Sequence, residues 1–101
     1  MRGMTLRAIA EACNGVYYGS EDNLDKEVTD ITTDSRKVQN GGLFVAICGE
    51  RTDGHQYIDN CFKDGAFCVI SEKELEVETN SYIQVKSSLQ ALKAMALLYR
   101  N

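Results

Sequence analysis

Leu43-Phe44-Val45-Ala46-Ile47 is an unbroken apolar run that follows the turn Asn40-Gly41-Gly42. A strand with one face in water alternates apolar and polar residues, so a continuous run predicts a strand that is buried on both faces. Phe67-Cys68-Val69-Ile70 has the same character. Strands of this kind lie at the centre of a sheet that helices cover on both sides, and the two runs therefore predict an α/β fold.

Other segments complete a small α/β domain around these two strands. Residues 16–18, 28–32 and 81–85 are rich in β-branched and aromatic residues and are predicted to be strands. Residues 5–14, 53–64 and 87–101 have apolar residues at helical spacing and are predicted to be helices. Their N-terminal caps are Thr5, Asp53 and Ser87. The apolar face of the third helix is predicted to comprise Leu89, Leu92, Ala96 and Tyr99.

The length of 101 residues predicts a single domain, residues 1–101. The third helix reaches Asn101 without a glycine or proline stop, so we expect the natural chain to continue. A net charge of −4 lacks the basic excess of nucleic-acid-binding proteins. The apolar runs are far shorter than the roughly 20 residues that span a bilayer. We therefore expect a cytoplasmic protein whose partners include neither nucleic acid nor a membrane.

The four cysteines are Cys13, Cys48, Cys61 and Cys68, and each lies in an apolar stretch. No Cys-x-x-Cys pair occurs and His55 is the only histidine, so the pattern predicts no metal site. We expect four buried, reduced thiols that react with a thiol probe only after denaturation.

Two polar loops follow predicted strands, Thr33-Asp34-Ser35-Arg36-Lys37 and Gly49-Glu50-Arg51-Thr52-Asp53-Gly54-His55. Ligands of α/β sheets tend to bind beyond the carboxyl ends of the strands, where such loops lie. Glycine lets backbone N–H groups approach a ligand closely, and the start of a helix attracts anions. The guanidinium groups of Arg36 and Arg51 suit phosphate. Together these features predict a phosphate or nucleotide site.

The same residues also have purely structural interpretations, which the sequence leaves open. Arg36 can form a surface ion pair with Asp34 or Asp30, Asp53 can act only as a helix cap, and the loop glycines can serve turns. A nucleophilic triad built on Ser35 has little support, because the Gly-x-Ser-x-Gly elbow of hydrolases is missing. The sequence also has no Gly-x-x-x-x-Gly-Lys-Ser/Thr loop for ATP.

Four motifs occur in an order that is typical of one protein family. They are Thr-Asp-Ser-Arg-Lys-Val at 33–38, Gly-Leu-Phe-Val-Ala at 42–46, Gly-Glu-Arg-Thr-Asp-Gly-His at 49–55 and Gly-Ala at 65–66. With the opening and final helices, they make the chain resemble the N-terminal domain of Mur ligases over essentially its whole length. These bacterial cytoplasmic enzymes add amino acids to the UDP-linked precursor of peptidoglycan. The resemblance implies an α/β fold with a small mixed sheet flanked by helices.

Within the family, Gly49-Glu50-Arg51 followed by Asp53-Gly54-His55 looks most like the ligase that joins D-alanyl-D-alanine to UDP-N-acetylmuramoyl-tripeptide. The ligase that adds the third amino acid to the UDP-linked dipeptide is one alternative. A stand-alone protein-interaction module is an alternative from another class of protein.

The resemblance also implies a division of labour between domains. The N-terminal domain binds the UDP end of the muramoyl peptide and contributes no catalytic residue, metal ligand or cofactor. A central domain binds ATP and Mg²⁺ and phosphorylates the peptide carboxylate, which the amine of D-alanyl-D-alanine then attacks. The 101-residue chain alone is therefore expected to be inactive.

By the same resemblance, Ser35 and Arg36 are expected near the diphosphate or sugar, with Thr33 packed against the pocket. The residues expected to frame the uridine-diphosphate pocket are Gly49, Glu50, Arg51 and Thr52. The residues expected to form the structural loop and helix cap are Asp53, Gly54 and His55.

Overall fold

The computed structural model describes residues 4–49, 53–76 and 80–98, with position 98 described by its backbone alone. Three α-helices lie in these ranges: α1 (Leu6–Ala12), α2 (Ile58–Lys63) and α3 (Ser88–Leu98). Each lies within a predicted helix, so the order of the helices along the chain is confirmed. In the described ranges, no helix combines the length and the apolar character that crossing a membrane requires.

Local hydrogen bonds set both ends of α1. Thr5 is extended, and its hydroxyl accepts a hydrogen bond from the Ala8 N–H at 3.1 Å, which confirms the predicted N-cap. At the other end, Asn14 adopts the left-handed conformation with φ of 53°. The Gly15 N–H then donates to the Ala10 carbonyl at 2.9 Å, as in a Schellman motif. The left-handed residue that stops α1 is thus an asparagine, with Gly15 following it.

The sheet is mixed, as the resemblance implied. In the part of the chain that the structure describes, its strands are β1 (Val16–Tyr18), β2 (Ile31–Thr32), β3 (Leu43–Val45), β4 (Cys68–Ser71) and β5 (Ser81–Gln84). Their spatial order is β1-β5-β4-β3-β2. Strands β2, β3, β4 and β5 run parallel, whereas β1 is antiparallel to β5. The parallel strands therefore present their carboxyl ends at one edge, which we call the carboxyl edge and define as residues 33–37, 46–49, 53–55, 72–73 and 85–88.

The central strands are buried on both faces, as their unbroken apolar runs predicted. One cluster joins the sheet to α1 and α3 and includes Leu43, Ile70, Ile9 and Met95. The other joins the sheet to α2 and includes Phe44, Val69, Ile58 and Cys61. Neighbouring residues of a strand enter different clusters because their side chains point alternately to its two faces. The sheet is thus the middle layer of the domain.

α3 buries a different face from the predicted one. Of the predicted core positions, Leu92 is half-buried, Leu89 and Ala96 are exposed, and Tyr99 lies outside the described residues. The buried positions are instead Ser88, Ala91 and Met95, which follow i, i+3, i+7 spacing. A serine at the start of this stripe interrupts the apolar pattern, and this explains why the sequence indicated the wrong face.

Strands β2 and β3 are shorter than predicted, and the chain next to each of them makes further hydrogen bonds. The Leu43 N–H donates to the Asp30 carbonyl at 2.7 Å, one residue before β2 begins. Beyond β3, the Ile47 carbonyl accepts from the Gly54 N–H at 2.9 Å. The helix predicted from position 53 accordingly begins as a 3₁₀ turn, Gly54–Tyr57, and continues as α2.

The cysteines divide into buried and exposed thiols. Cys61 and Cys68 are buried and Cys13 is half-buried. Burial raises the pKa of the Cys13 and Cys61 thiols to about 11 and raises the pKa of Cys68 further. Cys48 is exposed, so the expectation of four buried thiols is wrong at this position. The reason is that β3 ends at Val45 and the chain has left the core three residues later.

Candidate functional site

The two loops that the sequence singled out lie on the carboxyl edge. Residues 33–37 follow β2, and residues 46–49 follow β3. The two strands are parallel neighbours, with Ile31 opposite Leu43 and Thr32 opposite Phe44. The topology therefore brings the loops side by side, at the end of the sheet where ligands of α/β proteins bind.

Short-range hydrogen bonds build the first loop. The Asp34 N–H donates to the Thr32 hydroxyl at 3.0 Å, and the Arg36 N–H donates to the Asp34 carboxylate at 2.9 Å. These contacts wind Ser35–Lys37 into a 3₁₀ turn with Asp34 as its N-cap. Ser35 is half-buried and Thr33 is exposed. The Lys37 N–H also donates to the Asp34 carbonyl at 2.9 Å. These contacts span two or three residues, so the sequence itself encodes the shape of the turn.

The Arg36 guanidinium forms a bidentate ion pair with Asp34. Its Nε lies 3.1 Å from Oδ1 and its Nη2 lies 3.1 Å from Oδ2. This hydrogen bonding holds the pKa of the Asp34 carboxyl below its ordinary value. The Arg36 side chain is 88% exposed. The surface ion pair is thus formed in this structure, and a phosphate that binds Arg36 competes with Asp34 for the guanidinium.

The second loop is closed by backbone contacts at its base. Besides the bond between Gly54 and Ile47, Cys48 and Asp53 form an isolated antiparallel bridge. Gly54 has no room for a side chain, because a Cβ would lie 2.9 Å from the Ile47 nitrogen and 3.0 Å from its oxygen. Gly49 is exposed, on the described side of this loop. In this loop, the residues outside the described ranges are Glu50, Arg51 and Thr52, and their expected ligand contacts stay predictions.

Asp53 collects three hydrogen bonds on its carboxylate. Oδ1 accepts from the His55 N–H at 3.0 Å and from His55 Nδ1 at 2.6 Å, while Oδ2 accepts from Lys73 Nζ at 3.0 Å. These hydrogen bonds, led by the one from the His55 backbone, lower the pKa of the Asp53 carboxyl. The predicted cap is confirmed, and Asp53 also fixes the imidazole and binds a lysine from the loop after β4.

Both ring nitrogens of His55 are engaged. Nδ1 faces Asp53, and Nε2 lies 2.9 Å from the Glu72 nitrogen. A backbone N–H can only donate, so Nε2 accepts and the ring hydrogen belongs on Nδ1. The side chain is 5% exposed. No ring lone pair is left to accept a proton from Ser35, which argues against the nucleophilic triad that the sequence left open.

Glu72, Lys73 and Ser88 belong to this site, although no pattern in the sequence indicated them. Glu72 Oε2 accepts from the Ser88 N–H at 2.7 Å and so caps α3. The Ser71 hydroxyl accepts from the Lys73 N–H at 3.0 Å and donates to the Lys73 carbonyl at 2.8 Å, which holds the turn after β4. Lys73 and Glu72 lie 17 or more residues from their partners in the second loop. Only folding brings these residues together.

The carboxyl edge thus has backbone groups, the exposed Arg36 guanidinium and a hydrogen-bonded cluster of four residues, Asp53, His55, Glu72 and Lys73. Within residues 4–49, 53–76 and 80–98, no three or more His, Cys, Asp or Glu side chains are grouped as metal ligands. The backbone groups and the guanidinium can bind a polar or anionic ligand by hydrogen bonds.

Comparison with known proteins assigns the fold to a family. The family "Mur ligase family, catalytic domain" matches residues 27–100. The chain belongs to the Mur ligase family. A UDP-N-acetylmuramoyl-L-alanyl-D-glutamate--2,6-diaminopimelate ligase from Listeria innocua is 42% identical over 93 residues, which is 92% of this chain and 18% of the relative. The corresponding ligase from Fusobacterium nucleatum is 45% identical over 64 residues, covering 62% of this chain and 13% of the relative.

A solved structure agrees with the Mur ligase assignment. The UDP-N-acetylmuramoylalanyl-D-glutamyl-2,6-diaminopimelate--D-alanyl-D-alanyl ligase from Acinetobacter baumannii superposes with a TM-score of 0.78 at 25% identity. The match covers 92% of this chain and 20% of that one. The expected mixed α/β fold of Mur ligase N-terminal domains is thereby confirmed. The chain spans less than a quarter of the length of these relatives.

Proposed function

We propose that this Mur ligase domain binds the UDP end of a UDP-linked muramoyl peptide in the synthesis of peptidoglycan precursors. The observation that carries the proposal is the juxtaposition of two polar loops on the carboxyl edge of a Mur ligase fold. Ser35 and Arg36 supply a hydroxyl and a guanidinium from one loop. Gly49 is exposed on the other loop, where its backbone can approach a diphosphate closely.

Sequence identity to the relatives is the basis for choosing between the ligase that adds the third amino acid and the ligase that adds D-alanyl-D-alanine. Diaminopimelate ligases share 35–45% of their residues with this chain over the matched stretches. The D-alanyl-D-alanyl ligase shares 25%. We therefore propose that the full-length enzyme adds the third amino acid, with the UDP-linked dipeptide as substrate. The D-alanyl-D-alanine-adding ligase, which the motif Gly49-Glu50-Arg51 favoured, is the second candidate, supported by the structural match.

The remaining expectations form part of the same proposal. ATP and Mg²⁺ act in another domain of the full-length enzyme, in the cytoplasm, and residues 1–101 contribute neither a catalytic residue nor a cofactor site. The role of this chain is to hold a part of the substrate that does not react. Binding energy from such a remote group can orient the reacting carboxylate and so lower the barrier to reaction.

The test is a matrix of turnover assays on the full-length ligase. Each UDP-linked substrate, dipeptide or tripeptide, is offered with ATP and either 2,6-diaminopimelate or D-alanyl-D-alanine, and phosphate release is measured. We expect turnover with the dipeptide and the diamino acid. Turnover with the tripeptide and D-alanyl-D-alanine would replace this proposal by the second candidate, and no turnover in any combination would favour a protein-interaction module.

A parallel assay tests the division of labour. The 101-residue chain is incubated with each combination of substrates, and we expect no phosphate release because the chain lacks an ATP-binding loop. Release of phosphate that depends on the UDP-linked substrate would overturn this part of the proposal.

A further inference from the structure

The segment 47–54 lies on the carboxyl edge, and its described residues are 47–49 and 53–54. Its ends are joined by the Gly54–Ile47 hydrogen bond and the bridge between Cys48 and Asp53. These contacts link one half of the segment to the other half. They do not connect it to β4, the next strand of the sheet. That connection comes from the side chains of Asp53, near the end of the segment, and His55, directly after it.

Two side-chain contacts bridge the segment to the chain that follows β4. Lys73 Nζ reaches Asp53 Oδ2 at 3.0 Å, and its side chain is 64% exposed. His55 Nε2 accepts from the Glu72 N–H at 2.9 Å and is nearly enclosed, with 5% of its side chain exposed. A lysine has four rotatable bonds and adapts to many distances, whereas an imidazole is a rigid spacer with bonding groups at fixed positions. His55 is therefore the contact that sets distance and angle.

The connection continues through Glu72 into α3. The Glu72 backbone N–H bonds His55, while its carboxylate bonds the Ser88 N–H at 2.7 Å. A chain of hydrogen bonds thus runs from Asp53 through His55 and Glu72 to Ser88. It joins the loop after β3, the turn after β4 and the first residue of α3, three separate parts of the carboxyl edge.

We propose that His55 is a positioning residue that sets where the Gly49 side of the 47–54 segment lies relative to β4 and α3. The inference rests on the proposed function, because the value of this placement is a preformed pocket for the uridine diphosphate. His55 contacts no substrate in this scheme. It acts through Asp53 on one side and through the Glu72 N–H on the other.

Three substitutions separate the two bonds of the ring. His55→Asn keeps an amide N–H near the place of Nδ1 and loses the acceptor for Glu72. His55→Gln carries an amide oxygen out to the place of Nε2 and loses the donor to Asp53. His55→Ala loses both bonds. Arg7→Ala is the control, because it breaks an exposed 3.0 Å ion pair with Asp25 away from the carboxyl edge.

The first readout is the split between KM and kcat in the full-length ligase. For His55→Asn and His55→Gln we expect the KM for the UDP-linked substrate to rise about 5- to 20-fold, as expected for the loss of one buried hydrogen bond. His55→Ala should raise it further, while kcat and the KM for ATP stay within about twofold of wild type. An unchanged KM for the UDP-linked substrate in folded His55→Asn and His55→Gln would overturn the proposal. A loss confined to kcat would overturn it too.

The second readout needs no substrate and therefore separates this inference from the proposed function. Hydrogen–deuterium exchange of the full-length protein follows the peptides that contain Glu72 and Gly49. In His55→Asn, we expect faster exchange in both, because the Glu72 N–H loses its acceptor and the segment loosens. Unchanged exchange at both would overturn the positioning role even if the domain binds UDP. Faster exchange in a protein that does not bind UDP would support the positioning role and refute the proposed function.

Discussion

The two loops of the carboxyl edge are held by contacts of different range along the sequence. The 33–37 turn is held by bonds that span two or three residues, and its arginine side chain remains 88% exposed. The 47–55 loop encloses its histidine and is tied to residues 17 and 20 positions away. The carboxyl edge therefore combines two loops of different character. One loop presents an accessible charge, and the other has a backbone that is fixed at its described residues, 47–49 and 53–55.

The largest effect is expected at Gly54, where the fixed backbone has no tolerance for a side chain. Gly54→Ala places a Cβ 2.9 Å from the Ile47 nitrogen, so the base of the loop must open. We expect a loss of about 1–3 kcal/mol in the free energy of unfolding, the usual cost of overpacking. We also expect weaker binding of the UDP-linked substrate. Chemical denaturation and calorimetric titration measure the two effects.

Thr33→Ala is the matched comparison in the other loop, because Thr33 is exposed. We expect its stability to stay within about 0.5 kcal/mol of wild type. If Gly54→Ala were as stable as Thr33→Ala, the 47–54 segment would not be the rigid member of the pair.

The next effect concerns the accessible charge. Replacing Arg36 by alanine in the full-length ligase should raise the Kd for the UDP-linked substrate roughly 10- to 150-fold, as expected for a lost guanidinium–phosphate contact. Arg36→Lys should recover part of the loss, since an ammonium keeps the charge without the planar fork. The affinity for ATP should hardly change. Isothermal titration with each ligand gives the affinities.

Arg7→Ala is the control for Arg36→Ala, because Arg7 is also an exposed arginine paired with an aspartate. It should leave the affinity for the UDP-linked substrate unchanged. Equal affinities of Arg36→Ala and Arg7→Ala would mean that the pair with Asp34 is only a surface ion pair. Arg51 is expected to behave like Arg36, with a smaller loss if the backbone of its loop binds the phosphate.

The difference between the loops also explains how far the sequence predicts the site. The turn after β2 and the caps at Thr5 and Asp53 follow from contacts within a few residues, and the sequence located all of them. The partners of His55 follow from the packing of β3 beside β4, which no local pattern encodes. Lys73 and Glu72 lie in an acidic stretch for which the sequence predicted neither a helix nor a strand.

Core positions show the same limit. The unbroken apolar runs predicted β3 and β4. Every residue of these two strands is buried, whichever face of the sheet its side chain lies on. α3 was harder, since its buried stripe begins with Ser88 and two of its leucines are exposed. The prediction that Cys48 is buried was wrong for a related reason. It follows an apolar run that leaves the core after Ile47, and the run itself carries no sign of that exit.

A smaller effect should appear in the pH dependence of stability. The pKa of Asp53 and the pKa of Asp34 are both lower in the folded protein than the ordinary value of 3.8. Their ionised forms therefore stabilise the fold at pH above about 4, and this contribution is lost as the pH falls further. Asp53→Asn and Asp34→Asn should lower the melting temperature at pH 7, and the difference from wild type should shrink towards pH 2.

The matched pair of aspartates distinguishes the loops. Asp53 accepts bonds from His55 and Lys73, whereas the partner of Asp34 is the exposed Arg36, so Asp53→Asn should cause the larger loss at pH 7. Thermal melts of both variants between pH 2 and pH 7 provide the comparison. Equal losses at pH 7, or a loss for Asp53→Asn that is as large at pH 2 as at pH 7, would contradict this assignment of charge.

The smallest perturbation is a thiol label, which tests the exposed end of the 47–54 segment without a substitution. Cys48 is exposed, whereas Cys61 and Cys68 are buried and burial raises the pKa of both thiols. Because the thiolate is the reacting form, we expect Cys48 to be modified fast in the native chain, Cys13 slowly, and the other two only after denaturant is added. Mass spectrometry of timed samples identifies each site.

A UDP-linked substrate should slow the labelling of Cys48, since its neighbour Gly49 belongs to the proposed pocket. Fast labelling of Cys61 or Cys68 in the native protein would contradict their burial in the two core clusters. An unchanged rate of Cys48 labelling with saturating substrate would mean that the pocket does not include this segment.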